Sequence, residues 1–157
     1  MKEFEPAVFA LAAALRARGC KIATAESCTG GLIAAACTAV AGSSDWFERG
    51  FVTYSNEAKT ESLGVPIALI EAHGAVSAEV ARAMAVGALR HSHADLAVAV
   101  TGIAGPGGAT PGKPVGTVWL ALAGSDVHTE LLTLAGDRAA IRTQTVHRAL
   151  QRLLENA

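Results

Sequence analysis

Segments typical of β-strands alternate with segments typical of helices along this chain of 157 residues. The clearest strand lies at residues 95–101, where the unbroken run Leu-Ala-Val-Ala-Val is typical of a strand buried in a sheet. A helix pattern at residues 77–90 precedes it, and Ser77 with Glu79 marks the expected start of that helix. Alternation of this kind predicts an α/β domain, in which helices cover both faces of a sheet.

The complete set of predicted elements defines the topology. The predicted strands cover residues 21–25, 49–55, 95–101, 115–123 and 127–135, and the predicted helices cover 6–18, 30–40, 56–63, 67–72, 77–90 and 137 onward. The short connection Gly124-Ser125-Asp126 predicts that the last two strands form an antiparallel hairpin. We therefore expect one α/β domain over residues 1–157, with three layers and a mixed, mostly parallel sheet covered by helices on both faces.

The composition argues against several classes of function. The chain has 13 Lys and Arg against 14 Asp and Glu, so a basic surface for nucleic acid is not expected. No segment reaches the roughly 18 consecutive apolar residues of a membrane span. Three cysteines without C-x-x-C spacing predict neither a disulfide framework nor a zinc site, and they fit a reducing, cytoplasmic compartment.

Ser27 lies at a predicted junction between a strand and a helix. The first N–H groups of a helix lack partners within it, and the helix dipole adds partial positive charge at that end. A serine here could attack a carbonyl while N–H groups near residues 28–31, including those of Gly30 and Gly31, stabilise the oxyanion. The alternative is that Ser27 or Thr29 simply caps the helix.

Lys59 is the candidate base for Ser27, because no Asp or His has a spacing that identifies it as a triad partner. It lies in the first turn of the third predicted helix, with Asn56 as the expected N-cap, and the positive end of that helix disfavours an ammonium. Exclusion of water would lower the pKa of the amine further, so that it could accept a proton. The alternative is a solvated lysine paired with Glu57 or Glu61.

Tyr54, the only tyrosine, lies near the end of the second predicted strand. Ligands of α/β folds collect at the carboxyl ends of the strands, so Ser27, Tyr54 and Thr101 are expected to line one pocket. The Tyr54 hydroxyl could hydrogen-bond Ser27 or Lys59 there, or the ring could be an ordinary buried aromatic.

Glycines dominate residues 102–108, and the N–H groups of such a loop, including those of Gly102 and Gly105, can hold an anion. The following segment resembles a P-loop in its spacing. Pro114 excludes that interpretation, because a P-loop needs Ser or Thr there and a helix after it. The alternative is that residues 106–113 form a flexible surface connection.

Arg138 and Arg142 lie four residues apart, hence on one face of the last predicted helix. Together they could hold a phosphate, or Arg138 could pair with Asp137 or another carboxylate. Cys28 is an alternative nucleophile, although cysteine is more often a small buried residue. The pair His91 and His93 lacks a third ligand, so no metal site is predicted.

The chain resembles the CinA C-terminal domain family, which includes the nicotinamide mononucleotide deamidases. The resemblance rests on five ordered blocks that span almost the whole chain: residues 23–31 (Ala-Thr-Ala-Glu-Ser-Cys-Thr-Gly-Gly), 50–59 (Gly-Phe-Val-Thr-Tyr-Ser-Asn-Glu-Ala-Lys), 73–77 (His-Gly-Ala-Val-Ser), 101–106 (Thr-Gly-Ile-Ala-Gly-Pro) and 114–119 (Pro-Val-Gly-Thr-Val-Trp). A weaker Gly-Asp-Arg at 136–138 completes the pattern.

This resemblance implies a homodimeric enzyme of pyridine-nucleotide salvage that hydrolyses nicotinamide mononucleotide to nicotinate mononucleotide and ammonia, without a metal or cofactor. It implies Ser27 as the nucleophile and Lys59 as its base, and it matches Tyr54, Thr101 and Arg142 to further active-site positions. Longer relatives carry a molybdopterin-binding-like domain in front, so this chain is expected to be the stand-alone form. The alternative function is a non-catalytic nucleotide-binding or regulatory module of the competence/damage-inducible type.

Overall fold

A five-stranded mixed sheet forms the centre of the computed structural model, which describes residues 1–157. The strands are β1 (Ile22–Glu26), β2 (Phe47–Val52), β3 (Leu96–Gly102), β4 (Thr117–Ala123) and β5 (Val127–Thr133). Their order across the sheet is β2-β1-β3-β4-β5, in which β2, β1 and β3 pair in parallel and β4 pairs antiparallel with both of its neighbours. Four strands therefore point the same way and only β4 runs against them, which confirms the predicted mixed sheet and its terminal hairpin.

Helices cover both faces of this sheet. They are α1 (Glu5–Arg18), α2 (Leu32–Thr38), α3 (Asn56–Leu63), α4 (Ile67–His73), α5 (Ala78–Arg90) and α6 (Arg138–Asn156), with short 3₁₀ turns at Lys2–Phe4 and Ser43–Asp45. Helices α1, α2 and α6 share one hydrophobic cluster with the sheet, and α3, α4 and α5 share the other. None of the helices is long and apolar enough to cross a membrane.

The central strands present different side chains to the two helical layers. Alanines point toward the layer of α5: Ala23, Ala25, Ala97, Ala99, Ala121 and Ala123. Larger side chains alternate with them and point toward α1 and α6: Ile22, Val98, Val100, Leu120 and Leu122. Because neighbouring side chains of a strand alternate between faces, the sequence can place small residues on one face and large ones on the other. The alanine face lets α5 pack close to the sheet.

Pairing within the sheet corrects the predicted bounds of the second strand. That strand was expected at residues 49–55, but β2 covers Phe47–Val52. Its register is set by β1, where Ile22 pairs with Phe47 and Glu26 with Val52, so both strands end at the same level. Tyr54 therefore lies in the connection between β2 and α3.

The predicted start of α2 is also wrong. A helix was expected from residue 30, but Gly30 and Gly31 have φ values of +58° and +99°, which lie in the left-handed region. A right-handed helix cannot include them, so α2 begins at Leu32. The chain thus makes a tight turn at residues 27–31 between β1 and α2.

A close contact between α3 and α5 fixes the position of α3. A Cβ atom added at Gly87 would lie 2.0 Å from the carbonyl oxygen of Leu63, so only glycine permits this approach. Leu63 is the last residue of α3, and Lys59 lies one turn earlier. By allowing α3 to pack against α5, Gly87 therefore helps to position Lys59.

Candidate active site

Ser27 is the first residue after β1, at the carboxyl ends of the parallel strands. Its backbone N–H donates to the carbonyl of Val100 in β3 at 3.0 Å, which continues the ladder beyond the last residue of β1. The Ser27 Oγ atom lies 3.0 Å from Lys59 Nζ, and the Ser27 residue is only 8% exposed. The fold thus brings the two candidate catalytic side chains into hydrogen-bond contact.

Lys59 is almost completely buried, with 1% of its surface exposed. Its Nζ atom lies 2.8 Å from the carbonyl oxygen of Thr53 and 3.3 Å from that of Tyr54, and no carboxylate lies within salt-bridge distance. The alternative of a solvated lysine paired with Glu57 or Glu61 is therefore wrong. Burial lowers the pKa of the Lys59 amine, because water no longer solvates the ammonium form.

The contacts of Lys59 accommodate the neutral amine as well as the ammonium. Nζ lies within 3.5 Å of three carbonyl oxygens, those of Thr53, Tyr54 and Ser55, so an ammonium could donate to these and to Ser27 Oγ. A neutral amine carries two N–H groups and one lone pair, and the two nearer carbonyls are those of Thr53 and Tyr54. With both N–H groups donated to these carbonyls, the lone pair is left for the hydroxyl of Ser27. In that state the serine donates its proton to the amine, which is the arrangement that general-base activation requires.

The N-cap of α3 differs from the predicted one. The hydroxyl of Ser55 accepts a hydrogen bond from the backbone N–H of Ala58 at 3.0 Å, so Ser55 rather than Asn56 caps the helix. An N-cap residue has extended backbone and precedes the first helical residue, and Asn56 is already helical.

The turn at residues 27–31 carries several backbone N–H groups that donate to no protein acceptor, namely those of Cys28, Thr29 and Gly31. Arg142 supports the turn, because its guanidinium donates to the carbonyls of Cys28 and Thr29, both at 3.2 Å. A trans peptide directs its N–H opposite to its carbonyl. Binding of the Cys28 carbonyl by Arg142 therefore turns the Thr29 N–H away from that arginine.

The buried carboxylate of Glu26 occupies the start of α2. It accepts the backbone N–H groups of Ile33 at 2.8 Å and Ala34 at 3.0 Å, and the Thr29 hydroxyl at 2.6 Å. Glu26 therefore takes two N–H groups at the start of α2, and the N–H of Gly30, expected at the oxyanion, instead donates to the Ser27 carbonyl at 3.0 Å. The available indication in the sequence was one acidic residue at the end of an otherwise uncharged strand.

A cavity of about 200 Å³ lies beside Ser27. Residues from five separate segments line it, including Ser27, Tyr54, Lys59, Thr101 and Arg138. The Thr101 hydroxyl donates to the carbonyl of Ala75 at 2.9 Å, which ties the end of β3 to the loop before α5. Residues of all three predicted strand ends thus meet at one cavity.

Tyr54 is 62% exposed at the rim of this cavity and is not a buried aromatic. Its hydroxyl accepts a hydrogen bond from Arg138 Nη2 at 3.2 Å, in place of the expected bond to Ser27 or Lys59. The backbone of Tyr54 is what reaches Lys59, because β2 ends before Tyr54 and its side chain turns outward.

The two arginines at the start of α6 have separate roles in the structure. Arg138 lines the cavity, and its Nη1 atom donates to the Gly105 carbonyl at 2.8 Å, so the alternative of pairing with Asp137 is wrong. Asp137 instead caps α6 through the N–H of Ala140. Arg142 is engaged by the turn at residues 27–31 and does not line the cavity.

Local geometry explains two of the glycines at the end of β3 and in the loop after it. A Cβ at Gly102 would lie 2.6 Å from a methyl carbon of Val118, so the close approach of β3 and β4 requires glycine there. Gly105 has a φ of +83°, and its carbonyl is the one bound by Arg138. Gly102 therefore lines the cavity, and Gly105 acts on it through Arg138.

Cys28 is buried, and burial raises the pKa of its thiol to about 11. The thiol is therefore protonated at neutral pH and is a weak nucleophile. This environment disfavours the alternative of a cysteine hydrolase. Nowhere in the structure do three or more His, Cys, Asp or Glu side chains group as they would to hold a metal ion.

The chain matches known proteins over nearly its whole length. The family described as the CinA C-terminal domain matches residues 5–157. A CinA-like protein of Citrifermentans bemidjiense is 60% identical over 141 residues, which are 89% of this chain and 34% of that protein. The nicotinamide-nucleotide amidohydrolase PncC of Enterobacter agglomerans is 54% identical over 146 residues, which are 92% of this chain and 89% of that protein.

A solved structure shares the fold. The crystal structure of the competence/damage inducible protein CihA from Agrobacterium tumefaciens has a TM-score of 0.94 at 46% identity, over 97% of this chain and 94% of that chain. The resemblance inferred from the five sequence blocks is thus confirmed, and the chain belongs to the CinA C-terminal domain family.

Proposed function

We propose that this protein hydrolyses the carboxamide of nicotinamide mononucleotide, giving nicotinate mononucleotide and ammonia. The relatives that it matches along nearly their whole length include one named nicotinamide-nucleotide amidohydrolase. This chain spans only 34% of the CinA-like protein of Citrifermentans bemidjiense, so no activity is inferred from that longer relative. The observation that carries the proposal is the contact of Ser27 Oγ with the buried Lys59 amine at 3.0 Å.

In the proposed mechanism, Lys59 Nζ accepts the proton of Ser27 while Oγ forms a bond to the carboxamide carbon. The N–H groups of Cys28 and Thr29, which have no protein acceptor, stabilise the oxyanion. The carbon–nitrogen bond then breaks, and the ammonium of Lys59 returns the proton to the departing ammonia. Water attacks the resulting ester with Lys59 again as base, which releases the acid and restores Ser27.

Arg138 is the proposed partner of the phosphate of the substrate. It lines the cavity, and its bonds to the Gly105 carbonyl and to Tyr54 hold the guanidinium at the rim. The N–H groups of Gly102 and Gly105 and the Thr101 hydroxyl are further proposed contacts. Arg142, by contrast, supports the turn that carries Ser27, so we assign it an indirect role.

The proposal extends to the cellular setting. We propose that the protein acts as a homodimer in pyridine-nucleotide salvage in the cytoplasm. The three free cysteines favour a reducing compartment, since disulfides are rare there. Neither nucleic acid nor a membrane is needed for the reaction, and the chemistry requires no cofactor. Sedimentation of the purified protein tests the dimer.

The function is tested by ammonia release from nicotinamide mononucleotide. Wild type should release ammonia stoichiometrically with the acid, whereas Ser27→Ala and Lys59→Ala should release none above background. Ser125→Ala, at the exposed hairpin turn, is the matched control and should retain full turnover. If the nucleotide raises the Tm of the wild type without ammonia release, the protein is a non-catalytic binding module.

A further inference from the structure

Glu26 is a carboxylate that the proposed mechanism leaves unused. It is completely buried at the end of a central strand, and no Lys, Arg or His lies within salt-bridge distance of it. Burial of a carboxylate is costly unless hydrogen bonds compensate for the lost water. Here the donors are the N–H groups of Ile33 and Ala34, the hydroxyl of Thr29 and, at 3.5 Å, the hydroxyl of Thr24.

The bond between Glu26 and Thr29 spans the turn that presents Ser27. At 2.6 Å between the two oxygens, it is a short, charge-assisted hydrogen bond. Thr29 is completely buried, and Arg142 holds its carbonyl from the other side at 3.2 Å. Thr29 therefore binds the Glu26 carboxylate through its hydroxyl and the Arg142 guanidinium through its carbonyl, and both contacts hold the turn.

We infer that Glu26 is a positioning residue, which acts through the Thr29 hydroxyl to fix the Ser27 oxygen and the free N–H groups of the turn. This inference rests on the proposed function, because its kinetic test measures the proposed reaction. Glu26 touches neither the cavity nor Lys59, so its effect on catalysis is indirect. An apolar side chain at position 26 would fill the same space but could not bind the Thr29 hydroxyl.

Because the carboxylate acts on the orientation of the reacting groups and not on the phosphate end of the substrate, its loss should lower kcat more than it raises KM. Even small displacements of a nucleophile or of an oxyanion donor are costly to the rate. A residue that merely stabilised the fold would lower the Tm and leave the kcat of the folded protein unchanged.

The test compares Thr29→Val with Thr29→Ser in the full chain. Thr29→Val keeps the shape and removes the hydroxyl, whereas Thr29→Ser keeps the hydroxyl. We expect Thr29→Val to lower kcat at least about tenfold with KM nearly unchanged, and Thr29→Ser to restore most of the rate. Thr145→Val, which removes an equally buried hydroxyl that bonds only within α6, should keep the wild-type kcat.

The double variant Glu26→Gln/Thr29→Val tests whether the two residues act through one bond. It should lose no more kcat than the worse of its two single variants, since coupled residues are not additive. Wild-type kcat in Thr29→Val, an equal loss in Thr29→Ser, or additive losses in the double variant would each overturn the inference.

Labelling of Ser27 by a fluorophosphonate separates this inference from the proposed function. If the wild type reacts at Ser27 but releases no ammonia, the proposed function is wrong, and the labelling rates of the same variants decide the role of Glu26. Slow labelling in Thr29→Val with recovery in Thr29→Ser would then support it, and equal rates would overturn it. A wild type that neither labels nor turns over would contradict both proposals.

Discussion

Ser27 and Lys59 lie 32 residues apart in the chain, yet the Ser27 oxygen and the Lys59 nitrogen are only 3.0 Å apart. The parallel pairing of β1 with β2 ends both strands at one level, and the helices that follow each strand start from the same edge of the sheet. Burial of the Lys59 amine follows from this position.

Activity should rise with pH through the lowered pKa of Lys59. Only the neutral amine can accept the serine proton, so kcat/KM should increase as the amine loses its proton, with a midpoint below the ordinary value of 10.5. A pH profile of kcat/KM checks this, and a profile that falls over that range would contradict the role of Lys59.

The same amine makes stability depend on pH. Between its lowered folded pKa and 10.5, the unfolded chain holds a proton that the folded protein has released. The free energy of unfolding therefore rises with pH in this window. Chemical denaturation of wild type and Lys59→Met checks it, because the difference between the two should change with pH in favour of the wild type.

Cys28→Ala should retain activity. The thiol of Cys28 has its pKa raised to about 11 by burial, so almost no thiolate exists at neutral pH. We expect kcat within about threefold of wild type, because such a buried thiol is chemically inert. Steady-state kinetics measures this, with Ser27→Ala as the inactive comparison. Complete loss of activity in Cys28→Ala together with activity in Ser27→Ala would instead identify a cysteine hydrolase.

Arg138→Met and Arg142→Met should have different kinetic effects. Loss of a charged donor to the phosphate should raise KM by about tenfold to a hundredfold in Arg138→Met, whereas Arg142→Met should mainly lower kcat because the turn loses its support. The comparison substrate is nicotinamide riboside, which lacks the phosphate.

For that riboside, Arg138→Met should differ little from wild type. If Arg142→Met is the variant that loses discrimination between nucleotide and riboside, the phosphate lies at Arg142 and the assignment of the two arginines is reversed.

Gly87→Ala should disturb both stability and activity. The added methyl would meet the Leu63 carbonyl at 2.0 Å, so α3 must shift away from α5 and carry Lys59 with it. We expect a loss of about 1–3 kcal/mol in the free energy of unfolding and a lower kcat. The matched control is Gly107→Ala, which has open space at the added Cβ and should change neither quantity.

The three-layer architecture was predictable because it follows from the pattern of apolar residues along the chain. The meeting of the strand ends was predictable because the carboxyl ends of parallel strands lie at one edge of the sheet. The runs at 96–100 and 117–123 define buried strands, and ligands of α/β folds gather at strand ends. The sequence alone therefore assigns Ser27, Tyr54 and Thr101 to one pocket.

The partners of individual polar groups were not predictable. Arg142 and Arg138 share a helix face, yet one binds the turn at Ser27 and the other binds the Gly105 carbonyl. Which donor meets which acceptor depends on how α6 packs against a distant loop, and helical periodicity carries no information on that distance. Glu26 was missed for the same reason, since its role follows from the path of the chain through Gly30 and Gly31.

The most direct test of the account is the mass of the protein quenched by acid during turnover of nicotinamide mononucleotide. We expect the peptide containing Ser27 to gain the mass of the substrate minus ammonia, on the serine oxygen, and we expect no such gain in Lys59→Ala. An adduct on Cys28, or sustained ammonia release from Ser27→Ala, would contradict it.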